Sequence, residues 1–200
     1  MKEYEFTLKF RLPSATEIPD IYVEKLGANG CNDALIGIGQ NGRIALNFIR
    51  VATSAFYAVT SAIIQVRRVI PNVKLVEITP DFVDLSNVAK FLGIPYQNMQ
   101  KIMVNSGVQF PEPVHEGKSP IWHLANILIW LKNQDLYPVV EDMIELAKTN
   151  MQLNLVKDMQ DVKPPLSLQS DFPLKRLNQE RPSYFSAKQK AEEIDKNFFN

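Results

Sequence analysis

The chain has 200 residues, 46% of them hydrophobic and 22% charged, a balance that is typical of soluble globular proteins and excludes collagen-like and wholly disordered chains. Lysine and arginine together number 22, as do aspartate and glutamate, so the formal net charge is zero, which excludes attachment to nucleic acid through overall charge alone. Cys31 is the single cysteine and cannot form an intrachain disulfide, a pattern typical of reducing compartments. No apolar stretch approaches the ~18 residues of a membrane span, so we expect a cytoplasmic protein without membrane contacts.

Residues 2–79 predict the order strand, helix, hairpin, helix, strand. Apolar residues alternate with polar ones in the first strand, at Tyr4, Phe6, Leu8 and Phe10. A helix is expected over residues 16–26, because apolar side chains recur there at helical spacing and Gly27 is a typical C-terminal stop. The apolar positions in that helix are Ile18, Ile21, Tyr22 and Leu26.

The middle of this region predicts a hairpin and a second helix. Asn41-Gly42 lies between two apolar runs and favours a type I′ turn, which needs positive φ at two successive residues. Ser54 is a suitable N-cap for a helix that ends near Val69, and residues 74–78 are typical of a closing strand. The order βαββαβ predicts an α+β fold that begins with a ferredoxin-like sandwich over residues 1–80.

The glycines of the hairpin also spell a nucleotide-binding pattern. Residues 37–42 match GxGxxG, but a dinucleotide site requires a helix directly after the loop. Because Arg43 begins a run typical of a strand, we interpret the glycines as part of the hairpin. Phosphate binding is the disfavoured alternative.

Residues 85–103 carry the most specific pattern in the chain. Gly93 separates two short apolar-periodic runs, and a glycine suits a turn in which a β-carbon would be strained. The inward positions of a helix-turn-helix would be Val88, Ala89, Leu92, Met99 and Ile102. A plain helical hairpin with the same packing is the alternative.

The second of these helices would expose polar side chains at its start. Gln and Asn can bond adenine edges bidentately, and Lys can contact phosphate or guanine. Residues 110–123 then predict two extended runs around a glycine turn, which together form a wing with His115, Lys118 and His123 as donors. The candidate DNA-contacting residues are Tyr96, Gln97, Asn98, Gln100, Lys101, His115 and Lys118.

The run PDFVDLSNVAKFLGIPYQNMQ…FPEPVHEGKSPIWHLANILIWL resembles the winged helix-turn-helix of small bacterial regulators related to the MerR and excisionase-like (AlpA) groups. More narrowly, it is similar to a largely uncharacterised bacterial family in which an N-terminal α/β domain precedes the pattern LTDIAELLGVSRQNV…FPAPVHSG…LWHLAEVLAWL. The resemblance covers residues 4–132 and implies binding to double-stranded DNA. Where that family has Ser-Arg-Gln-Asn, this chain has Pro95-Tyr96-Gln97-Asn98, so a tyrosine replaces the arginine that would bind phosphate or guanine.

The charge of residues 82–134 is only slightly positive. Four lysines face three acidic residues, for a net of plus one: Lys90, Lys101, Lys118 and Lys132 against Asp84, Glu112 and Glu116. Several cationic contacts are needed for useful affinity at physiological salt, so we expect a homodimer, which would double them.

Two functions follow from these patterns. The leading prediction is a sequence-specific transcriptional regulator that binds double-stranded DNA, with no enzymatic activity, cofactor or metal. The alternative is an interaction or adaptor protein, antitoxin-like or a phage-defence accessory subunit, that binds a protein partner through the helix-turn-helix and the C-terminal tail.

The last third of the chain is expected to extend the winged helix-turn-helix (residues 81–134). Residues 135–161 predict one amphipathic helix, with apolar residues three or four apart, at Val140, Ile144, Ala147, Met151 and Leu155. Residues 162–200 combine four prolines with many polar residues, which predicts an extended or partly disordered tail. Phe198 and Phe199, near its end, are candidates for contact with a partner.

Overall fold

The computed structural model describes residues 1–161 and gives side-chain burial through residue 160. Residues Met1–Met159 form one compact unit, and a second unit, Gln160–Asn200, lies almost wholly outside the described residues, as does the predicted tail. The described part mixes helices with antiparallel sheets, which confirms the predicted α+β class.

Twelve strands and α-helices make up the described part. The first half contains β1 (Lys2–Arg11), α1 (Val23–Leu26), β2 (Ala34–Gly37), β3 (Arg43–Ala52), α2 (Ala55–Val69) and β4 (Lys74–Thr79). The second half contains β5 (Phe82–Val83), α3 (Leu85–Leu92), α4 (Tyr96–Ser106), β6 (Trp122–His123), α5 (Leu124–Asn133) and α6 (Glu141–Asp161).

The main sheet has four antiparallel strands in the order β2-β3-β1-β4. The period-two pattern of β1 is confirmed, because its four alternating apolar residues are all buried. β1 pairs with β3 along its whole length, from Lys2 opposite Ala52 to Arg11 opposite Arg43. Helix α2 also forms as predicted, with the Ser54 side chain accepting a hydrogen bond from the amide of Tyr57. Its buried face packs into the same core as the inner side chains of the sheet.

The helix predicted over residues 16–26 is wrong in its bounds and in its buried face. A 3-10 turn over Pro19–Tyr22 leads into α1, and a π-helical turn continues over Gly27–Cys31. Gly27 has helical φ and ψ values of −58° and −45°, so it does not end the helix. Ile18 and Ile21 are exposed, whereas Pro19 and Leu26 are buried.

A tertiary contact explains where this helical segment ends. Gly30 takes a φ of 95°, and its carbonyl accepts a hydrogen bond of 2.9 Å from the buried guanidinium of Arg50. The same guanidinium holds both carboxylate oxygens of Asp33, at 2.7 and 2.9 Å. An arginine on β3 therefore fixes the chain reversal before β2.

The hairpin between β2 and β3 forms, but its type I′ turn does not. The loop spans residues 38–42. Gly42 has a positive φ, of 73°, but Asn41 before it does not, and a type I′ turn needs both. Gly42 is also closely packed, because a β-carbon there would lie 2.7 Å from the Cα of Ala15. The turn is therefore set by its contact with residues 12–17 rather than by the Asn-Gly pair.

Helix α6 covers the outer edge of the sheet. The Asn154 side chain accepts a hydrogen bond from the amide of Ile78 at 3.0 Å and donates one to its carbonyl at 2.8 Å, so it pairs with the free edge of β4 as a neighbouring strand would. The predicted start at residue 135 is wrong, because the helix begins at Glu141, after Pro138. Val140 and Leu155 are exposed, and the buried face includes Asn150 and Asn154 instead.

Candidate nucleic-acid interface

Helices α3 and α4 meet at a tight turn that Gly93 makes possible. Asp84 caps the start of α3 by accepting a hydrogen bond from the amide of Asn87 at 2.7 Å. Gly93 ends the helix with a φ of 68°, and its amide bonds to the carbonyl of Lys90 while the amide of Ile94 bonds to that of Ala89. This pair of bonds is a Schellman motif, which suits glycine because it needs a left-handed residue.

The side chains predicted to face inward around this turn are buried. They are Val88, Ala89, Leu92 and Met99, with Ile102 partly buried against them. Tyr137 adds a bond from its hydroxyl to the carbonyl of Leu92 at 2.7 Å. The end of α3 is therefore held from two sides, which fixes the direction in which α4 leaves the turn.

The polar residues at the start of α4 are exposed, as predicted. They are Tyr96, Gln97, Asn98, Gln100 and Lys101. Val104 is 66% exposed and lies on the same helix. Successive residues of a helix are about 100° apart, so Gln97, Lys101 and Val104 lie within about 40° of the direction opposite to buried Met99. We call these three residues the outer face of α4.

A short hairpin follows α4 where the wing was expected. His115 and Ile121 form an isolated antiparallel bridge, with the amide of Ile121 bonded to the carbonyl of His115 at 3.0 Å. His115 and Lys118 are exposed at this hairpin. Phe110 anchors its base by edge-to-face contacts with Trp122 and Trp130, at centroid distances of 5.8 and 5.1 Å.

His123 is not available as a wing donor, and that prediction is wrong. Its side chain is buried and its Nδ1 lies 2.7 Å from the Oδ1 of Asp81. The cause is the pairing of β5 with β6, which puts His123 opposite Phe82 and turns the ring inward. Of the three predicted wing donors, His115 and Lys118 remain exposed.

Asp81 is the centre of a buried polar network that the sequence patterns did not indicate. Its carboxylate accepts from the Nδ2 of Asn154 at 2.8 Å, and its carbonyl accepts from the amide of Leu124 at 2.7 Å. Asn150 adds a bond to the carbonyl of Pro80 at 3.0 Å. The network joins β4, β5, α5 and α6, so it holds residues 81–134 against the sheet.

The charges near the outer face of α4 are sparse. Lys132 is paired with Glu141, and this hydrogen-bonded contact lowers the pKa of the Glu141 carboxyl. Lys90, Lys101 and Lys118 have no ion-pair partner among residues 1–161. Within residues 82–134, these three lysines are the ones that remain to bind an anionic partner.

The outer face of the sheet lacks aromatic rings for stacking with bases. The side chains that β1 and β3 present there mix carboxylates with cations and include no aromatic ring: Glu3, Glu5, Lys9, Arg11 and Arg43 are the charged ones. A cleft of about 770 Å³ separates this face from α3, and no residue of α4 or of the hairpin after it lines the cleft. The candidate interface is therefore α4 with this hairpin.

Other kinds of site have little support among the described residues. Over residues 1–161, no group of three or more His, Cys, Asp or Glu side chains is arranged to hold a metal ion. The helices described here include none that is long and apolar enough to cross a membrane. Cys31 is buried, and burial raises the pKa of its thiol.

Comparisons of the chain with protein-family models, with curated proteins and with solved structures find no match. What α4 and the hairpin after it bind therefore has to be inferred from their own residues.

Proposed function

We propose that residues 81–134 are a winged helix-turn-helix that binds double-stranded DNA, and that the protein is a sequence-specific transcriptional regulator. One observation carries the proposal. Helix α4 follows a tight turn and leaves Gln97, Lys101 and Val104 uncovered among the described residues, while Met99 packs inward. A helix held in this way can enter the major groove and contact base edges.

The surrounding architecture supports the same function. The strand order β2-β3-β1-β4 is the order of a ferredoxin-like sandwich, which we assign to residues 1–80. Lys118 and His115 on the hairpin after α4 are suited to the phosphate backbone. The resemblance of residues 4–132 to bacterial winged helix-turn-helix regulators favours the same reading.

The small number of cations favours a homodimer. Lys90, Lys101 and Lys118 would give at most three lysine–phosphate contacts for each protomer, and the release of so few counterions contributes little affinity at physiological salt. Two protomers would double the contacts. A two-fold dimer would bind half-sites about 34 Å apart, one turn of the duplex.

A random duplex pool tests the proposal with the full chain. The protein is mixed with the pool at low and at physiological salt, and bound duplexes are recovered and sequenced. The variant Gln97→Ala/Lys101→Ala removes two side chains of the outer face. The control Lys148→Ala/Gln152→Ala removes the same two residue types, also four apart and exposed, from α6.

We expect the wild type and the control to enrich one motif, arranged as a palindrome if the protein is a dimer. The α4 variant should bind that motif at least about fivefold more weakly, since one bidentate base contact is worth about 1–3 kcal/mol. Equal binding by the α4 variant would overturn the assignment of α4. No enriched motif at either salt would overturn the regulator itself.

A second function is favoured by two exposed valines. Val104 is 66% exposed and Val108 is 98% exposed, and apolar side chains on a helix surface are also typical of helices that bind protein grooves. We propose, as the alternative, an adaptor that binds a protein through α4 and the tail.

Deletion of residues 162–200 separates the two functions. Loss of a co-purifying protein with unchanged duplex binding would support the adaptor. An unchanged set of co-purifying proteins would count against it.

A further inference from the structure

We infer that the outer face of α4 selects A·T base pairs, an inference that rests on the proposed DNA binding. The side chains on this face are an amide, an ammonium and an aliphatic group: Gln97, Lys101 and Val104. Arginine and lysine are the commonest specific readers of guanine. The outer face has one of them, Lys101, and the chain has no arginine between Arg68 and Arg176. Residues 69–175, which contain α4, therefore offer no arginine to guanine, and amide side chains outnumber cations on and beside the outer face.

Each member of the outer face fits one part of an A·T-rich site. The amide of Gln97 can bond the N6 and N7 atoms of adenine together, and the methyls of Val104 can contact the 5-methyl of thymine. Lys101 lies between them along the helix and is suited to a phosphate or to one guanine. Asn98 and Gln100 flank the face, and both are amides that add adenine-reading groups rather than guanine-reading ones.

The spacing of these residues sets the size of the site. Gln97 and Val104 are about 10 Å apart along the helix axis, at 1.5 Å for each residue, which is about three base-pair steps. A helix that lies along the major groove would place the two residues at opposite ends of a recognition triplet or quartet. We expect an adenine at the end that faces Gln97 and a thymine at the end that faces Val104.

Base analogues in the duplex recovered from the pool test this inference. Replacing one thymine at a time with uracil removes only the 5-methyl group, and replacing one adenine at a time with 7-deazaadenine removes only the N7 acceptor. One uracil should weaken binding by the wild type about fourfold, the effect of exposing one methyl-sized apolar group. In Val104→Ala that position should lose its sensitivity to uracil. One deazaadenine should likewise weaken binding by the wild type and not by Gln97→Ala.

Val51→Ala is the matched control, because Val51 is an exposed valine on the sheet, 58% accessible. It should keep the full effect of uracil. Two results would overturn the inference while leaving DNA binding in place. One is a recovered half-site of G·C pairs. The other is a loss of affinity on replacing thymine with uracil that is the same for the wild type and for Val104→Ala. A pool without any enriched motif would overturn the inference together with the proposed function.

Discussion

Removing the Asn154 amide should lower the free energy of unfolding more than a change at an exposed position of α6 does, because Asn154 joins that helix to the sheet. Asn154 is 2% exposed and makes three hydrogen bonds, to the amide and carbonyl of Ile78 and to the carboxylate of Asp81. In Asn154→Ala the carboxylate keeps only its side-chain contact with His123. The backbone groups of Ile78 at the edge of β4 also lose their partner.

The size of this effect can be worked from the three bonds. A neutral hydrogen bond contributes about 1 kcal/mol net and one to a charged group about 2 kcal/mol, so the loss should be about 4 kcal/mol. For a chain of this size that lowers the melting temperature by about 10 °C. Urea unfolding gives the free energy of unfolding directly, and Gln152→Ala, an exposed change on the same helix, is the control. A loss within about 0.5 kcal/mol of that control would refute the assigned network.

Three further outcomes follow from particular residues. Gly93→Ala should lower the free energy of unfolding in urea by about 1 kcal/mol, because its φ of 68° strains a β-carbon; no change would contradict the turn. The Cys31 thiol should react slowly with an alkylating reagent at pH 8 and quickly in urea, because burial raises its pKa and depletes the thiolate; equal rates would contradict its burial. Burial and the hydrogen bond to Glu145 raise the pKa of Tyr4, so its contribution to stability is complete below pH 10 and is lost as the pH rises through the folded pKa; an alkaline unfolding profile unchanged in Tyr4→Phe would count against this.

Periodicity predicted the elements whose burial depends on their own sequence. β1 and α2 each bury one face against a single large core, so the two-residue and helical spacings of their apolar residues were sufficient. The turn at Gly93 was also predictable, because the left-handed conformation that it adopts favours glycine. The exposure of Gln97 and Lys101 followed from the same helical spacing.

Contacts between distant residues decided the features that the sequence did not predict. Arg50 sets the chain reversal at Gly30, and no local pattern points to that bond. The buried side of α6 contains Asn150 and Asn154 because it meets the main chain of β4 rather than an apolar surface. The burial of His123 was not predictable from its neighbours, because the residue that it contacts, Asp81, lies 42 positions earlier in the sequence.

The most direct test of where DNA binds is an amide-shift map of the ¹⁵N-labelled full chain with the duplex recovered from the pool. We expect the largest changes along α4, from Tyr96 to Val104, and at His115 and Lys118 of the wing, with little change in β1, β3 and α2. Changes confined to the sheet or to α6, with α4 unaffected at saturating duplex, would contradict the proposal that α4 is the DNA-binding helix.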